Sequence, residues 1–228
     1  MKKYCIVNHE NQKVIDKLKE YGYTCIPTEK SACVSEPISL HADVLYLRTK
    51  DNEIYVSDCQ INNIHLLKNN GFKVIPVNLE PGYKTESKLN LVITDNTIVY
   101  NPKTAINTEK FGICKKAIYI NQGYTRCSTI AMEDNYITED NGIYKALINS
   151  GKNCLLIDKG YVKLNGYDYG FIGGASAYLS ETRTLMFFGD ISKHPDFYKI
   201  QFFCNEIGVV IDMINTMPLS DIGGVVKF

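Results

Sequence analysis

Two short stretches of the chain carry residue types that could perform acid–base or nucleophilic chemistry. In the first, His41 and Asp43 are two positions apart, a spacing that puts both side chains on one face of an extended segment. Such a pair could bind a cation or act as an acid and a base. It could equally be a loop histidine that is hydrogen-bonded to its neighbour. His41 and Asp43 are our first candidate catalytic residues.

The second stretch is Arg126-Cys127-Ser128. A cysteine beside a cation has a lowered pKa and becomes a better nucleophile, so Cys127 is a third candidate catalytic residue. In the alternative that we favour, Arg126 and Ser128 bind a ligand carboxylate or phosphate. A third interpretation is a small buried cysteine beside a surface arginine.

Further candidates are predicted to bind a ligand. The small residues Gly173, Gly174 and Ser176 could let a ligand approach the backbone closely, or they could only make room in a crowded interior. Their stretch is no P-loop, because no Lys-Ser/Thr pair follows and no helix begins after it. Three polar residues complete the set of predicted ligand-binding residues: Asn90, His194 and Asp221.

Composition excludes several classes of partner. Among 228 residues, 25 Lys and Arg balance 25 Asp and Glu, whereas nucleic-acid-binding proteins usually carry a basic excess. The eight cysteines form no C-x-x-C pair and the chain has only four histidines, so we predict no metal site. The sequence also shows no cofactor motif. We therefore expect no nucleic acid, metal or cofactor.

The N-terminus, "MKKYCIVNHENQ", has too short an apolar run for a signal peptide, which needs about 7–15 apolar residues. No stretch approaches the roughly 18 apolar residues of a membrane span. We predict a cytoplasmic protein without a membrane partner, and the sequence leaves a homo-oligomer open.

The elements that position these residues form a repeat, which is strongest in the stretch from His41 to Asn78. Asp and Asn tolerate the left-handed dihedrals of a hairpin turn, and Gly71 is placed to end a helix. The predicted order is strand, turn, strand, helix and strand, over residues 43–47, 50–52, 54–57, 60–69 and 72–77.

The same order recurs three more times, with third strands starting near residues 117, 153 and 209. The N-terminal unit lacks one strand, which the tail "IGGVVKF" can supply. Pairing the two ends closes a ring and removes an open sheet edge. The predicted units are about 1–30 plus 220–228, 38–78, 86–121, 124–160 and 168–215, in a single domain over residues 1–228.

Five strand–strand–helix–strand units around an axis resemble the pentein fold, the α/β-propeller of the guanidino-group-modifying enzymes. Arginine deiminase, dimethylarginine hydrolase, amidinotransferases and a ribosome-associated initiation factor share that fold. The stretches "GYTRCS", "YDYGFIGGAS", "GDISKHPD" and "DIGG" are similar to those of an uncharacterised bacterial family with this fold. The alternative architecture is an ordinary two-lobed α/β protein.

The resemblance implies a chemistry that the sequence then puts in doubt. In pentein enzymes a cysteine near the C-terminus, roughly in a G-G-x-x-C pattern, attacks a guanidinium carbon, and a histidine in the fourth unit acts as acid and base. Here Gly223-Gly224 is followed at that position by Lys227, or by Phe228 in a register shifted by one residue. No histidine lies near Arg126. The usual nucleophile is therefore absent.

The resemblance also implies that the first strands of the units line an axial cavity. We predict that this cavity binds a small polar metabolite that resembles a guanidino compound or an amino acid. Two alternatives stay open: a hydrolase or transferase that uses Cys127 or the His41–Asp43 pair, and a non-catalytic protein-interaction module. A metabolite-binding protein should show a cavity with charges of both signs, and an interaction module an exposed apolar or strongly charged face.

Overall fold

The computed structural model describes residues 3–50, 52–111 and 116–228. Asp51, in a predicted turn, and part of the predicted crossing in the third unit, at 112–115, lie outside the described residues. Within the described ranges, none of the helices combines the length and the apolar character that crossing a membrane requires. The described strands form five three-stranded sheets.

Four sheets are built from consecutive segments of the chain. In each, the first two strands are antiparallel and the third is parallel to the second. The strands are β3 (Tyr46–Lys50), β4 (Glu53–Ser57) and β5 (Lys73–Val77); β6 (Val92–Ile93), β7 (Thr97–Tyr100) and β8 (Lys116–Tyr119); β9 (Thr129–Met132), β10 (Asn135–Thr138) and β11 (Asn153–Leu156); and β12 (Ser176–Leu179), β13 (Thr184–Phe187) and β14 (Val210–Met213). Their third strands begin within one residue of the predicted positions.

The fifth sheet joins the two ends of the chain, as the sequence predicts. It contains β1 (Lys3–Val7), β2 (Tyr23–Pro27) and β15 (Val226–Lys227), in the order β15-β1-β2. Lys227 lies opposite Cys5 in the antiparallel pair. The backbones of Tyr4 and Phe228 extend the pair, since each amide donates to the other residue's carbonyl, at 2.8 and 2.9 Å. The ring closure is confirmed.

Four helices connect the second strand of a sheet to the third, and they share the way in which they pack and the way in which they end. These helices are α1 (Gln12–Glu20), α3 (Ile61–Asn69), α5 (Asn141–Asn149) and α6 (Phe197–Glu206). Three of them bury one pair of side chains four residues apart, which share a helix face: Val14 with Leu18, Ile143 with Leu147, and Ile200 with Cys204. Each of the four is followed by a glycine with positive φ that ends it: Gly22, Gly71, Gly151 and Gly208.

Three first strands begin later than the sequence predicts. Residues Ala42–Leu45 form the one-turn helix α2, and β3 starts only at Tyr46. A second one-turn helix, α4, is Tyr83–Glu86. The amides of Val44 and Leu45 donate to the carbonyl of His41, at 3.2 and 3.1 Å. Our prediction of an extended segment at His41–Asp43 is therefore wrong. Asn90 and the Gly173–Gly174 pair, which were expected inside first strands, also precede β6 and β12.

The structure joins Cys33 and Cys59 in a disulfide, with Cα atoms 6.6 Å apart. This pairing was not predicted, because the two residues are 26 positions apart in the sequence and have no local pattern. Disulfides are uncommon in cytosolic proteins, and the cytoplasmic location stays a prediction.

The closing strand should contribute measurably to stability. Val226 in β15 is 2% exposed, whereas Val210 in β14 is 63% exposed. We expect Val226→Ala to lower the free energy of unfolding by about 2 kcal/mol, because it leaves a cavity in the core. Val210→Ala should change it by less than about 0.5 kcal/mol. Urea denaturation of both variants checks this, and equal effects would contradict the closure of the ring by β15.

Candidate functional site

The first strands of the five sheets, β3, β6, β9, β12 and β15, are called the inner strands, and the turns that precede them meet at one end of the ring. Backbone hydrogen bonds connect these turns between sheets: the amide of Asp43 donates to the carbonyl of Gly223 at 2.9 Å, and that of Gly173 to the carbonyl of Cys127 at 2.7 Å. The meeting turns bring together five polar side chains, which we call the axial polar cluster: His41, Asp43, Asn90, Cys127 and Asp221. All five residues are buried.

Asn90 is the centre of the axial polar cluster. Its Oδ1 accepts hydrogen bonds from the backbone amides of Arg126 and Cys127, at 2.8 and 3.1 Å. Its Nδ2 donates to the carbonyl of Asp43 at 3.0 Å and to the Cys127 sulfur at 2.9 Å. One side chain thus joins the turns of three neighbouring sheets. This explains an asparagine between two leucines, which the sequence alone does not.

Cys127 is held as a protonated thiol. Its Sγ donates to Oδ2 of Asp43 at 3.1 Å. Burial, followed by the charges of Asp43 and Asp221, raises the pKa of the Cys127 thiol well above its usual value. Our prediction that the adjacent arginine lowers the pKa of the Cys127 thiol is therefore wrong. A neutral, buried thiol is a poor nucleophile, so this environment does not favour Cys127 as the catalytic group.

His41 and Asp221 lie side by side, with Nδ1 and Oδ1 3.6 Å apart. Burial lowers the pKa of His41. Burial also raises the pKa of Asp221 to about 6, although the backbone amides of Phe171 and Gly223, which donate to it at 2.9 Å each, lower this pKa. A Cβ on Gly223 would lie 2.4 Å from the Cβ and 2.6 Å from the Cγ of His41, too close for any side chain. A glycine is therefore required beside this pair.

Asp43 is almost completely buried in the cluster. Burial raises the pKa of its carboxyl, while His41 and Arg126 oppose that rise. Its Oδ1 accepts no hydrogen bond from any residue that the structure describes. Asp43 thus lies near the neutral thiol of Cys127 and the largely neutral ring of His41. A buried carboxyl in such surroundings is better suited to sharing a proton inside the cluster than to holding a cation from solvent.

Glu139 is a buried acid that the sequence analysis missed. It follows β10, and its Oε1 accepts a hydrogen bond from the amide of Ile172 at 3.2 Å. Burial, with a contribution from the charge of Asp221, raises its pKa to about 8. No local motif surrounds Glu139 in the sequence. Only its position directly after a second strand, where a buried side chain can reach the axis, could have indicated it.

An open cavity of about 1200 Å³ lies along the inner strands, and we call it the axial cavity. Residues from all five inner strands line it, as the resemblance implied: Leu47 and Arg48, Val92 and Ile93, Thr129 to Ala131, Ser176 to Tyr178, and Val226 and Lys227. Of the predicted site residues, Arg126, Gly173 and Ser176 line this cavity. His41, Asp43, Asn90, Cys127 and Asp221 are not among the lining residues and form the axial polar cluster in the adjacent turns.

Charges of both signs line the axial cavity. The basic side chains are those of Lys3, Arg48, Arg126 and Lys227, and the acidic ones are those of Asp95, Glu133 and Glu181. Arg126 donates to the carbonyls of Val225 and Tyr46, at 2.7 and 3.5 Å. Arg48 donates to the carbonyl of Lys227 at 3.0 Å. The guanidinium groups are thus fixed by the backbone of the inner strands.

The remaining predicted residues lie elsewhere. Gly174 packs against Asp221, since a Cβ on Gly174 would lie 2.0 Å from Oδ1 of that residue. Ser128 is buried and its hydroxyl has no partner among the described residues. The His194 ring accepts the amide of Asp196 and contacts the carbonyl of Asp158, both at 3.1 Å. It lines a separate cavity of about 570 Å³, so we find no support for His194 in the axial site.

Removal of the Asn90 side chain should destabilise the protein strongly. In Asn90→Ala, two buried backbone amides lose their acceptor, and each unpaired group costs about 1–3 kcal/mol. We expect a loss of about 3 kcal/mol or more. The matched control is Asn153→Ala, because the Asn153 side chain is exposed and donates to the Asn135 side chain at the surface; it should cost less than about 0.5 kcal/mol. Similar denaturation midpoints for the two variants would contradict the bridging role.

Glu139 should make stability depend on pH. From the ordinary pKa of 4.5 up to about 8, the folded protein binds more protons than the unfolded chain, so the free energy of unfolding falls as the pH rises. Glu139→Gln should flatten this fall and stabilise the protein above pH 8. A smaller fall below about pH 6 should remain, because Asp221 titrates there. Denaturation across pH checks this, with the exposed Glu206→Gln as control; an unchanged profile would contradict it.

Residues 6–226 match the family of unknown function DUF6873. A search of curated proteins finds no significant match. Among solved structures, the chain is similar to a cysteine-to-serine mutant of DDAH from Pseudomonas aeruginosa complexed with citrulline. The two share 10% identity with a TM-score of 0.63, and the similarity covers 100% of both chains.

The chain is also similar to an agmatine deiminase of C. jejuni, at 8% identity and a TM-score of 0.54, over 93% of this chain and 86% of that one. These similarities confirm the predicted fold, a pentein-like five-bladed α/β propeller of strand–strand–helix–strand units. At such low identity they show the fold alone.

Proposed function

We propose that this chain, which belongs to the DUF6873 family of unknown function, binds a small amino-acid-like metabolite in its axial cavity. The observation that carries the proposal is the presence of both charge signs on one cavity at the centre of the ring. A zwitterionic ligand needs a cationic partner for its carboxylate and an anionic partner for its ammonium or guanidinium group. The fold-related proteins, a DDAH crystallised with citrulline and an agmatine deiminase, make this ligand class a reasonable candidate.

The ligand's orientation follows from the distribution of charge. Arg126 and Lys227 line the cavity together with Gly173, Ser176 and Gly224, and the charge of Arg126 reaches Lys227 and lowers its pKa. Small residues leave room for a ligand group to approach the backbone. Two cations repel a guanidinium and attract a carboxylate. The carboxylate end therefore enters this part of the cavity.

The cationic end of the ligand faces Glu181, one of the acidic residues that line the cavity. Glu181 is exposed there and accepts a hydrogen bond from the Tyr23 hydroxyl at 3.1 Å. Burial alone would raise the pKa of Glu181, but its own backbone amide, Lys227 and Tyr23 lower it below its usual value. Glu181 is thus a carboxylate, suited to an ammonium or guanidinium. The aromatic side chains of Tyr4, Tyr23, Phe72, Tyr178 and Phe228 line the same cavity and can cover the apolar stem.

Thermal-shift measurements test the proposal. We expect L-arginine and L-lysine to raise the melting temperature by mass action, and agmatine, which lacks the carboxylate, to raise it much less. Glu181→Gln should weaken L-arginine binding about tenfold, because one charge-assisted contact is lost. Glu206→Gln is the matched control and should bind as the unaltered protein does. Equal shifts with L-arginine and agmatine, or none with any amino acid, would contradict the proposal.

A second candidate function is protein interaction, and one observation favours it. Tyr198 and Phe202 lie one turn apart on α6 and are 79% and 67% exposed. Adjacent exposed aromatic side chains are typical of an interaction surface. Light scattering of the unaltered protein and of Tyr198→Ser/Phe202→Ser distinguishes this function. An oligomer that the double variant converts to a monomer would support it.

A further inference from the structure

One titratable side chain of the axial cavity has chemistry that ligand binding does not use. Lys227 lies in the closing strand β15, and its side chain lines the cavity together with Arg126 and Ser176. Its Nζ donates a hydrogen bond to the carbonyl of Tyr178 and lies 5.9 Å from the centre of the Tyr178 ring. The amine is thus held in one place by β12, the inner strand of the neighbouring blade.

The surroundings of Lys227 shift its amine towards the neutral form, although the cation still predominates near neutral pH. Arg48 and Arg126 line the same cavity, and Arg48 is fixed to the backbone carbonyl of Lys227 at 3.0 Å. Burial, followed by the charges of the two arginines, lowers the pKa of Lys227 to about 8, although Glu181 and Cys5 oppose this. Near neutral pH, such an amine is deprotonated on the order of a hundred times more often than an ordinary lysine.

A neutral lysine amine beside other cations is the usual form of a lysine that attacks carbonyl carbons. We propose that Lys227 forms an imine with a small carbonyl compound that also carries a carboxylate, such as a 2-oxo acid. The inference rests on the proposed function in one respect, since Arg126 holds the carboxylate in both. It goes beyond that function because it assigns a covalent step to a named atom.

The step balances without an oxidant or a reductant. The lone pair of Nζ forms a bond to the carbonyl carbon, and the oxygen takes up a proton to give a carbinolamine. Loss of that oxygen as water then leaves a carbon–nitrogen double bond, so that amine and carbonyl give imine and water. The Glu181 carboxylate, whose charge acts on Lys227, can accept the proton that the nitrogen releases.

The cavity supplies what an imine with a carboxylate requires. Arg126 and Arg48 present guanidinium groups for the carboxylate. Gly173 and Gly224 line the same cavity, where their backbones face the ligand without a side chain between. An imine nitrogen that becomes protonated keeps the positive charge at this place, so the new bond leaves the charge balance with Glu181 intact.

Reductive trapping tests the proposal. The full chain is incubated near neutral pH with sodium cyanoborohydride and, in separate samples, pyruvate, 2-oxoglutarate, glyoxylate or succinic semialdehyde. Peptide mapping by mass spectrometry then locates any adduct, whose mass is that of the carbonyl compound minus one oxygen atom. We expect an adduct at Lys227 with at least one compound, formed about tenfold faster than at the exposed Lys68.

Two variants make the outcome decisive. Lys227→Arg keeps a cation but has no nucleophilic amine, so it should lose the adduct. Lys68→Arg should retain the adduct at Lys227. Labelling spread evenly over exposed lysines, or no adduct at Lys227 with any of the four compounds, would overturn the proposal. If L-arginine still shifts the melting temperature in that case, only the imine is excluded and the proposed binding function stands.

Discussion

The structure depends on one constraint, namely that five turns meet at the axis where little water can reach their backbone groups. Every buried amide and carbonyl there needs a partner, since an unpaired one costs about 1–3 kcal/mol. Backbone bonds between turns meet part of this need, as between Asp43 and Gly223. The Asn90 side chain meets another part by accepting two amides and donating to one carbonyl. The glycines of "GFIGG" and "DIGG" allow the remaining close approaches.

This constraint separates two groups of polar residues that the sequence presents together. The residues packed in the turns are buried and largely neutral, because burial opposes charge at Asp43, His41 and Cys127. The side chains of Arg126, in the turn before β9, and of Lys227, in β15, face the open cavity. Stabilising groups and ligand-facing groups thus lie next to each other along the axis, and the chemistry we propose belongs to the second group.

Much of the fold could be predicted because it follows local rules. Buried pairs four residues apart and a glycine after each helix mark the repeat, and the tail "IGGVVKF" supplies the strand that the N-terminal unit lacks. The functional site was predicted less accurately than the fold. A two-residue spacing at His41 and Asp43 suggested a strand, but contacts with Gly223 from the other end of the chain favour a helical turn. The roles of Asn90 and Glu139 depend on partners in other blades.

The central claim is that the axial cavity, with its arginines and Lys227, is the ligand-binding site. A crystal structure of the protein with bound L-arginine tests it most directly. The account predicts electron density in the cavity, with the carboxylate against Arg126 and Lys227 and the guanidinium towards Glu181. Density in the cavity beside His194, or a guanidinium placed against Arg126, would contradict it.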